Sequence, residues 1–358
     1  MSLTDYGWDA SWQERFAPLE GRGLCPGRVS LLQRGLYQLV TAEGEVDAVV
    51  AGRMHHQARE GEDLPAIGDW VGYEPRAQGP AVIRSVLPRR TRLARAGAGK
   101  KTREQVVAAN VDTVFVVMGL DGDYNLRRME RFLSMVWESG ANPVVLLNKM
   151  DLVTPEEARY RFAAADQAAP GVPVHLLSAK HGRQLEEIIH YLEPGRTIAL
   201  VGSSGAGKST LINRLLGAEK LATREVRASD ERGQHTTTHR ELVQLPEGAL
   251  LIDNPGIREL QLWEAQEGVA ETFEDVEDLA SGCRFRDCRH EGEPGCAVLA
   301  AVEAGELPEG RLASYRSLQK ELAHLEQRQD VSARLAEKRK WKSIHSEAKR
   351  FRKESDKG

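Results

Sequence analysis

Eight consecutive residues, Gly202-Ser203-Ser204-Gly205-Ala206-Gly207-Lys208-Ser209, carry the spacing G-x-x-x-x-G-K-[ST], with Thr210 directly after. The chemistry of that spacing is phosphate binding. Glycines let successive backbone N–H groups curl round phosphate oxygens, and the helix that follows adds the positive end of its dipole. Lys208 is placed to reach the terminal phosphates, and the Ser209 hydroxyl to ligate Mg²⁺. The spacing works only between a strand and a helix. The apolar run Arg196–Val201 reads as a buried strand and Lys208–Leu216 as a helix, which a Gly/Ser-rich surface loop would not need.

Two further stretches could read a base. Asn148-Lys149-Met150-Asp151 follows the apolar run Pro143–Leu147, and Ser178-Ala179-Lys180 follows Val172–Leu177. A carboxylate at Asp151 can accept from the guanine ring N–H and its exocyclic amine, two donors that adenine lacks there. Each such charged hydrogen bond is worth roughly 1.5–3 kcal/mol, and a buried carboxylate left unpaired by ATP adds to the discrimination. The backbone after Ser178 can offer N–H groups to the guanine carbonyl oxygen. Either tetrapeptide-sized signal alone is weak; both at strand ends beside a phosphate loop are strong.

Asp253-Asn254-Pro255-Gly256 ends the run ALLI and fits D-x-P-G, with Asp253 in the Mg²⁺ shell through water and the Gly256 N–H sensing a γ-phosphate. Gly233-Gln234-His235-Thr236-Thr237-Thr238 lies between the phosphate-loop helix and that motif, and Thr237 is the expected second Mg²⁺ ligand. A threonine run is also compatible with a β edge or a turn. Where many GTPases carry a water-orienting glutamine, this chain has Ile257, which cannot hydrogen-bond water. His235 is the nearest polar candidate for that role, unless it is an ordinary surface histidine. Slow turnover without a partner is expected in either case.

Cys283, Cys288, His290 and Cys296 form C-x₄-C-x-H-x₅-C, with Gly292, Pro294 and Gly295 as turn residues. Three thiolates and one imidazole suit one closed, tetrahedral, structural Zn²⁺ site. A disulfide framework is unexpected in a chain this long, and Cys25 stands alone as an ordinary thiol.

These residues need elements to hold them. With 358 residues, 41% hydrophobic and 28% charged, the chain can bury two or three domains. A net charge of −4 excludes a globally basic nucleic-acid binder, so any such role falls to local patches. The first residues show no signal peptide and no apolar run spans a membrane, which makes the cytoplasm the expected compartment. Trp8, Trp12 and Phe16 at helical spacing suggest a small packing helix within residues 1–27. Residues 28–98 show short alternating runs broken by glycines, which fits an OB-like barrel and almost equally an SH3-like one. The basic stretch Arg89, Arg90, Arg92, Arg95, Lys100, Lys101 and Arg103 either tracks a phosphate backbone or is a solvated connector. From 99 to 264 strands alternate with helices: Thr113–Met118, Leu126–Glu138, Pro143–Leu147, Thr154–Ala165 capped by Thr154, Val172–Leu177, then a helix over Arg183–Leu192. Glu241–Leu245 and Ala249–Ile252 read as an antiparallel pair. A mostly parallel sheet covered by helices follows. Residues 265–358 read as a helical, metal-binding region. Its basic end interleaves Trp341 and Phe351 with Arg334, Lys338, Arg339, Lys340 and Lys353, a composition suited to RNA or to a solvated helix.

The order of the motifs is unusual. Ordinary GTPases place the phosphate loop first and the base-reading loops last; here 148–151 and 178–180 precede 202–209, as in a circular permutation. With Glu104–Asp112 (EQVVAANVD), 233–238, 253–256 and the Cys/His spacing, nearly the whole chain resembles the RsgA (YjeQ) family of circularly permuted GTPases of small-ribosomal-subunit biogenesis. The resemblance implies an OB-fold domain, a permuted α/β P-loop GTPase domain and a zinc-binding C-terminal domain. It implies binding to the small ribosomal subunit and its rRNA late in maturation, GTPase stimulation by that subunit, and a hydrolytic role for His235. A monomer with GTP, GDP, Mg²⁺ and Zn²⁺ as its small partners is expected. Asn254 stands where many members have serine, and the segment before Pro26 and the far tail match less distinctly. Two other readings remain open on the residues: a P-loop phosphotransferase, and an RNA-binding assembly protein for which hydrolysis is incidental.

Overall fold

Alternating apolar residues punctuated by turn glycines dictate the N-terminal architecture. A computed structural model of the chain describes residues 2–33, 35–57, 64–96, 104–217, 240–253 and 266–320. Helix α1 (Ala10–Glu20) is capped by the Asp9 carboxylate, which accepts from the Trp12 N–H at 3.0 Å, and it buries Trp12 and Phe16. Strands β1 (Cys25–Gln33), β2 (Leu36–Thr41), β3 (Gly44–Val50), β4 (Trp70–Glu74) and β5 (Ala81–Val86), with the short helix α2 (Gly52–Gln57) after β3, close into a barrel. Its order is β1-β2-β3-β5-β4 and back to β1, with β3 and β5 parallel. This is the five-stranded Greek-key arrangement of an OB fold, so the SH3-like alternative falls away. A bulge between Val29 and Leu31 bends β1. Its first half pairs with β4, while Leu31 and Leu32 pair with strand β12 of the next unit.

Two residues of the basic stretch after the barrel are engaged by carboxylates of the fold. Arg89 donates twice to the buried Asp69 carboxylate at 2.8 Å, and Arg90 donates twice to Asp9 at 2.8 and 2.7 Å. Strands β6 (Arg92–Ala96) and β7 (Glu104–Ala109) form a separate antiparallel ribbon. Lys100, Lys101 and Arg103 lie outside the described residues.

The central sheet has the order β10-β9-β8-β11-β13-β12. Its strands are β8 (Thr113–Gly119), β9 (Asn142–Asn148), β10 (Val174–Leu176), β11 (Thr197–Val201), β12 (Arg240–Gln244) and β13 (Leu250–Asp253). All neighbours are parallel except β12 and β13, the antiparallel pair expected from sequence. The near-continuous apolar strands β8, β9 and β11 are buried on both faces, as parallel strands must be. Helices α3 (Leu126–Glu138), α4 (Pro155–Ala168) and α5 (208–217) follow β8, β9 and β11. Thr154 caps α4 through the Glu157 N–H at 3.2 Å, with Pro155 in the first turn. The helix expected over 183–192 is instead a 3₁₀ stretch, Leu185–Tyr191, entered through Gln184 in a left-handed conformation.

The acidic stretch 265–279 is two helices, α6 (Gln266–Thr272) and α7 (Glu274–Ala280), because fully buried Phe273 turns inward between them. Helix α8 (Ala297–Glu303) and a helix α9, described over 309–320, complete this unit. Helix α6 packs on α3. Among the described residues no helix is long and apolar enough to cross a membrane. The basic residues from Arg334 to Lys353 lie outside those described.

Candidate functional site

Every nucleotide-directed motif among the described residues sits at one edge of the central sheet, where the parallel strands end at their carboxyl sides. Gly202-to-Ser209 links β11 to α5. Gly202 has φ of +140°, and a Cβ there would lie 2.2 Å from the Val117 carbonyl oxygen. Gly207 has φ of +97°, and its Cβ would lie 2.2 Å from Asn148 Nδ2. Neither position admits a side chain, so the cradle keeps bare backbone facing inward. Ser203, Ser204, Gly205 and Ala206 complete its turn. Lys208 is buried, and its Nζ donates to the carbonyls of Gly202 at 2.6 Å and Ser203 at 2.5 Å. Its ammonium thus lies folded into the loop where an incoming phosphate would replace those carbonyls. Ser209 and Thr210 are exposed at the start of α5. Asp253 ends β13, the parallel neighbour of β11.

The base-reading residues are brought to the same place. Buried Asn148 joins two loops: its Nδ2 donates to the Ala206 carbonyl at 2.9 Å, and its Oδ1 accepts from the Ala179 N–H at 3.0 Å. Asp151 accepts from the Ser178 hydroxyl at 2.5 Å, and His181 Nε2 lies 3.5 Å from its other oxygen. The Ser178 hydrogen bond holds the Asp151 carboxyl below the usual range, so it is an acceptor at neutral pH. Exposed Lys180 and buried Ala179 are fixed through their carbonyls, which accept from Arg214 of α5 at 2.8 and 3.3 Å. Lys149 adopts φ of +65° and its Nζ pairs with Asp121 at 2.6 Å. His235, Thr237 and Gly256 lie outside the described residues.

Asp121, Asp123 and Arg214 went unread in the sequence. The available signal was position: the acidic loop 121–123 follows β8, which lies between β9 and β11, the strands that lead into 148–151 and 202–209.

The second site lies between α7 and α8. Tetrahedral bonds of about 2.3 Å to sulfur and about 2.05 Å to nitrogen set sulfurs about 3.8 Å apart and sulfur to nitrogen about 3.6 Å. Cys283 Sγ lies 3.8 Å from Cys296 Sγ and 3.6 Å from His290 Nδ1, which lies 3.4 Å from Cys296 Sγ. All four ligand atoms, with Cys288, fall within 4.8 Å of one another. The geometry can hold a metal ion through Nδ1. Burial lowers the His290 pKa and so favours the neutral, ligating imidazole. Desolvation, then the neighbouring Cys296 and Cys283 sulfurs, push the Cys288 thiol up to about 11, a cost that a dication among the thiols reverses. Cys296 also accepts from the Leu299 N–H at 3.4 Å and so caps α8.

The Gly-rich loop 202–209, the loop 148–151 and the Ser-Ala-Lys turn meet on one sheet edge although their chain order is rotated. The fold and site are those of a circularly permuted P-loop GTPase. Residues 86–263 match the RsgA GTPase family. A protein of Opitutus terrae named small ribosomal subunit biogenesis GTPase RsgA is 47% identical over 96% of each chain. One of the same name from Syntrophotalea carbinolica is 43% identical over 100% of each. The crystal structure of YjeQ from Thermotoga maritima superposes with a TM-score of 0.63 at 27% identity, covering 84% of this chain and 99% of that one. That of YloQ, described as a circularly permuted GTPase, gives 0.60 at 25% identity over 84% and 96%. The chain belongs to the RsgA GTPase family.

Proposed function

We propose that this chain hydrolyses GTP while docked, through rRNA, on a maturing small ribosomal subunit late in assembly, and that the subunit stimulates its turnover. The observation that carries the nucleotide half is Asn148, one side chain bonded to both the phosphate loop and the Ser178–Lys180 turn. The subunit half rests on relatives that bear the name along the whole chain.

In this reading Asp151 selects guanine and the Lys149 stem lies against the base. The backbone of 202–208 holds the phosphates, with Lys208 on the terminal ones. Ser209 and Thr237 hold Mg²⁺, with Asp253 reaching it through water. His235 orients the attacking water in place of the glutamine that Ile257 displaces, and Gly256 senses the γ-phosphate. Mg²⁺, when bound, neutralises charge developing on the phosphate oxygens. Cys283, Cys288, His290 and Cys296 hold one structural Zn²⁺, for which three thiolates and an imidazole are the suited donor set. The protein works as a cytoplasmic monomer, divided near residues 27, 98 and 264.

GTP turnover measured with purified small subunits, large subunits and neither tests this. Strong stimulation by small subunits alone, lost in Lys208→Ala, is expected. Equal turnover in all three conditions would refute the partner.

A further inference from the structure

We infer that residues Gly119–Asp123 form a third nucleotide-positioning element, in which Asp121 holds Lys149 along the guanine pocket and Asp123 holds the phosphate loop. This deepens the guanine-nucleotide reading and rests on it.

The loop leaves β8, the strand between β9 and β11, and is tied to both neighbours. On the base side, the Leu120 N–H donates to the Asn148 carbonyl at 2.8 Å, and Asp121 Oδ2 lies 2.6 Å from Lys149 Nζ. On the phosphate side, Asp123 accepts from the Ser203 hydroxyl. The loop is itself braced. Asp123 accepts from the Gly119 N–H at 3.1 Å and from Arg128 at 2.6 Å, and Asp121 accepts from the Asp123 N–H at 3.2 Å. A Cβ at Gly119 would lie 2.5 Å from Asp121 Oδ1, so a side chain there would push that carboxylate aside.

Lys149 needs such a partner for two reasons. Its backbone is left-handed, a conformation that an L-residue with a long side chain keeps only when its surroundings fix it. Its stem runs beside the phosphate loop: Lys149 Cε lies 4.0 Å from the point where a Gly207 Cβ would be. A lysine stem released from Asp121 regains rotamer freedom and must be ordered again by each nucleotide. Asp121 therefore acts through Lys149 on the affinity of the base, while Asp123 acts through Ser203 on the phosphates. Both are positioning residues; neither reaches the reacting atoms.

The test uses the full chain and two probes, GDP and inorganic pyrophosphate, which carries the phosphate half alone. Asp121→Ala should raise the Kd for GDP about five- to tenfold and leave that for pyrophosphate unchanged. It should raise KM for GTP at constant kcat, the signature of lost uniform binding. Asp121→Asn, which keeps a hydrogen-bonding oxygen, should restore part of the affinity. Adding Asp121→Ala to Lys149→Met should weaken GDP binding no further. Asp123→Ala should weaken both probes. The melting temperature without nucleotide should not change in Asp121→Ala. GDP binding at wild-type strength in Asp121→Ala overturns the proposal. So does a parallel loss of both probes together with a lowered melting temperature, which marks a general structural role. Wild-type protein that binds pyrophosphate but not GDP would instead overturn the guanine reading, and the proposal with it.

Discussion

Two buried arginines attach the flanking units to the central sheet, and they do it by different means. Arg28 of β1 donates to the Gly68 and Asn110 carbonyls at 3.2 Å, to the Tyr6 carbonyl, and to the Thr197 hydroxyl at 2.9 Å. No carboxylate touches it among the described residues. Desolvation lowers its pKa to about 10, against the more distant pull of Asp112 and Asp69, and its guanidinium lies 5.3 Å from the Trp70 ring centroid. Arg311 of α9 is instead gripped by charge. It pairs with Glu130 of α3 at 3.0 Å and with Asp275 of α7 at 2.5 and 2.7 Å, and donates to the Ala168 and Thr272 carbonyls. The barrel seam is therefore a side chain bound mainly to backbone carbonyls, beside a strand pairing that continues the sheet through β1 and β12. The C-terminal seam is held by ion pairs between side chains, with two carbonyls besides, and the chain reaches it directly after the segment that begins at Asp253. A seam of that second kind can change partners without breaking a strand.

Metal removal should separate the two seams most widely. Binding at such a site supplies an apparent 10–16 kcal/mol or so at neutral pH. Stripping the ion with a chelator should collapse hydrogen-exchange protection over 283–320 and leave β1 to β5 protected. Equal loss in the barrel would mean that the seams are one cooperative unit.

The arginines themselves come next. Arg311→Met leaves Glu130 buried and unpaired and should cost about 3–5 kcal/mol in urea unfolding. Glu130→Gln on that background should recover part of it, because the stranded charge is gone. Arg28→Met should cost about 1–3 kcal/mol for each oxygen left without a donor. No acidic-to-amide change nearby, Asp112→Asn included, should recover it. Rescue of Arg28→Met by Asp112→Asn would show that the barrel seam, too, is held by charge.

Chemistry encoded in short spacings was legible: the phosphate-loop run, Asn148–Asp151 and Ser178–Lys180 are each unbroken and follow apolar strands, and the Cys/His set falls within 283–296. The seams were not legible, because their partners are distant in the chain. Arg28 and Thr197 are 169 residues apart, and Arg311 and Glu130 are 181 apart. The pairing of Arg89 and Arg90 within the basic stretch was illegible for the same reason. Charge counts do not say that Asp69 and Asp9 await Arg89 and Arg90 in the fold. The barrel's closure likewise needed pairing rather than pattern, since alternation alone suits an OB and an SH3-like barrel equally.

The smallest expected difference is in pH dependence, where an ion pair on the barrel side should differ in sign from the C-terminal seam. The hydrogen bond from Arg90 holds the Asp9 carboxyl below its ordinary 3.8, so this contact stabilises fully above that value and is lost as pH falls through the lowered one. Burial raises Glu130 above its ordinary 4.5, against the pull of Ser314 and Arg311. The folded protein then holds the Glu130 proton at pH values where the unfolded chain has released it. Its contribution is fully present below 4.5 and is lost as pH rises through the raised value. Urea midpoints from pH 3 to 7 should show the two slopes apart: Asp9→Asn should remove a loss confined below about pH 4, and Glu130→Gln should flatten a decline on the alkaline side of 4.5. Asp9 is half-exposed and screened by solvent, so its slope should be the shallower. A wild-type curve that instead falls below the Glu130→Gln curve on the acid side of 4.5 would show that Arg311 holds Glu130 ionised, and that the C-terminal seam is a fixed ion pair after all.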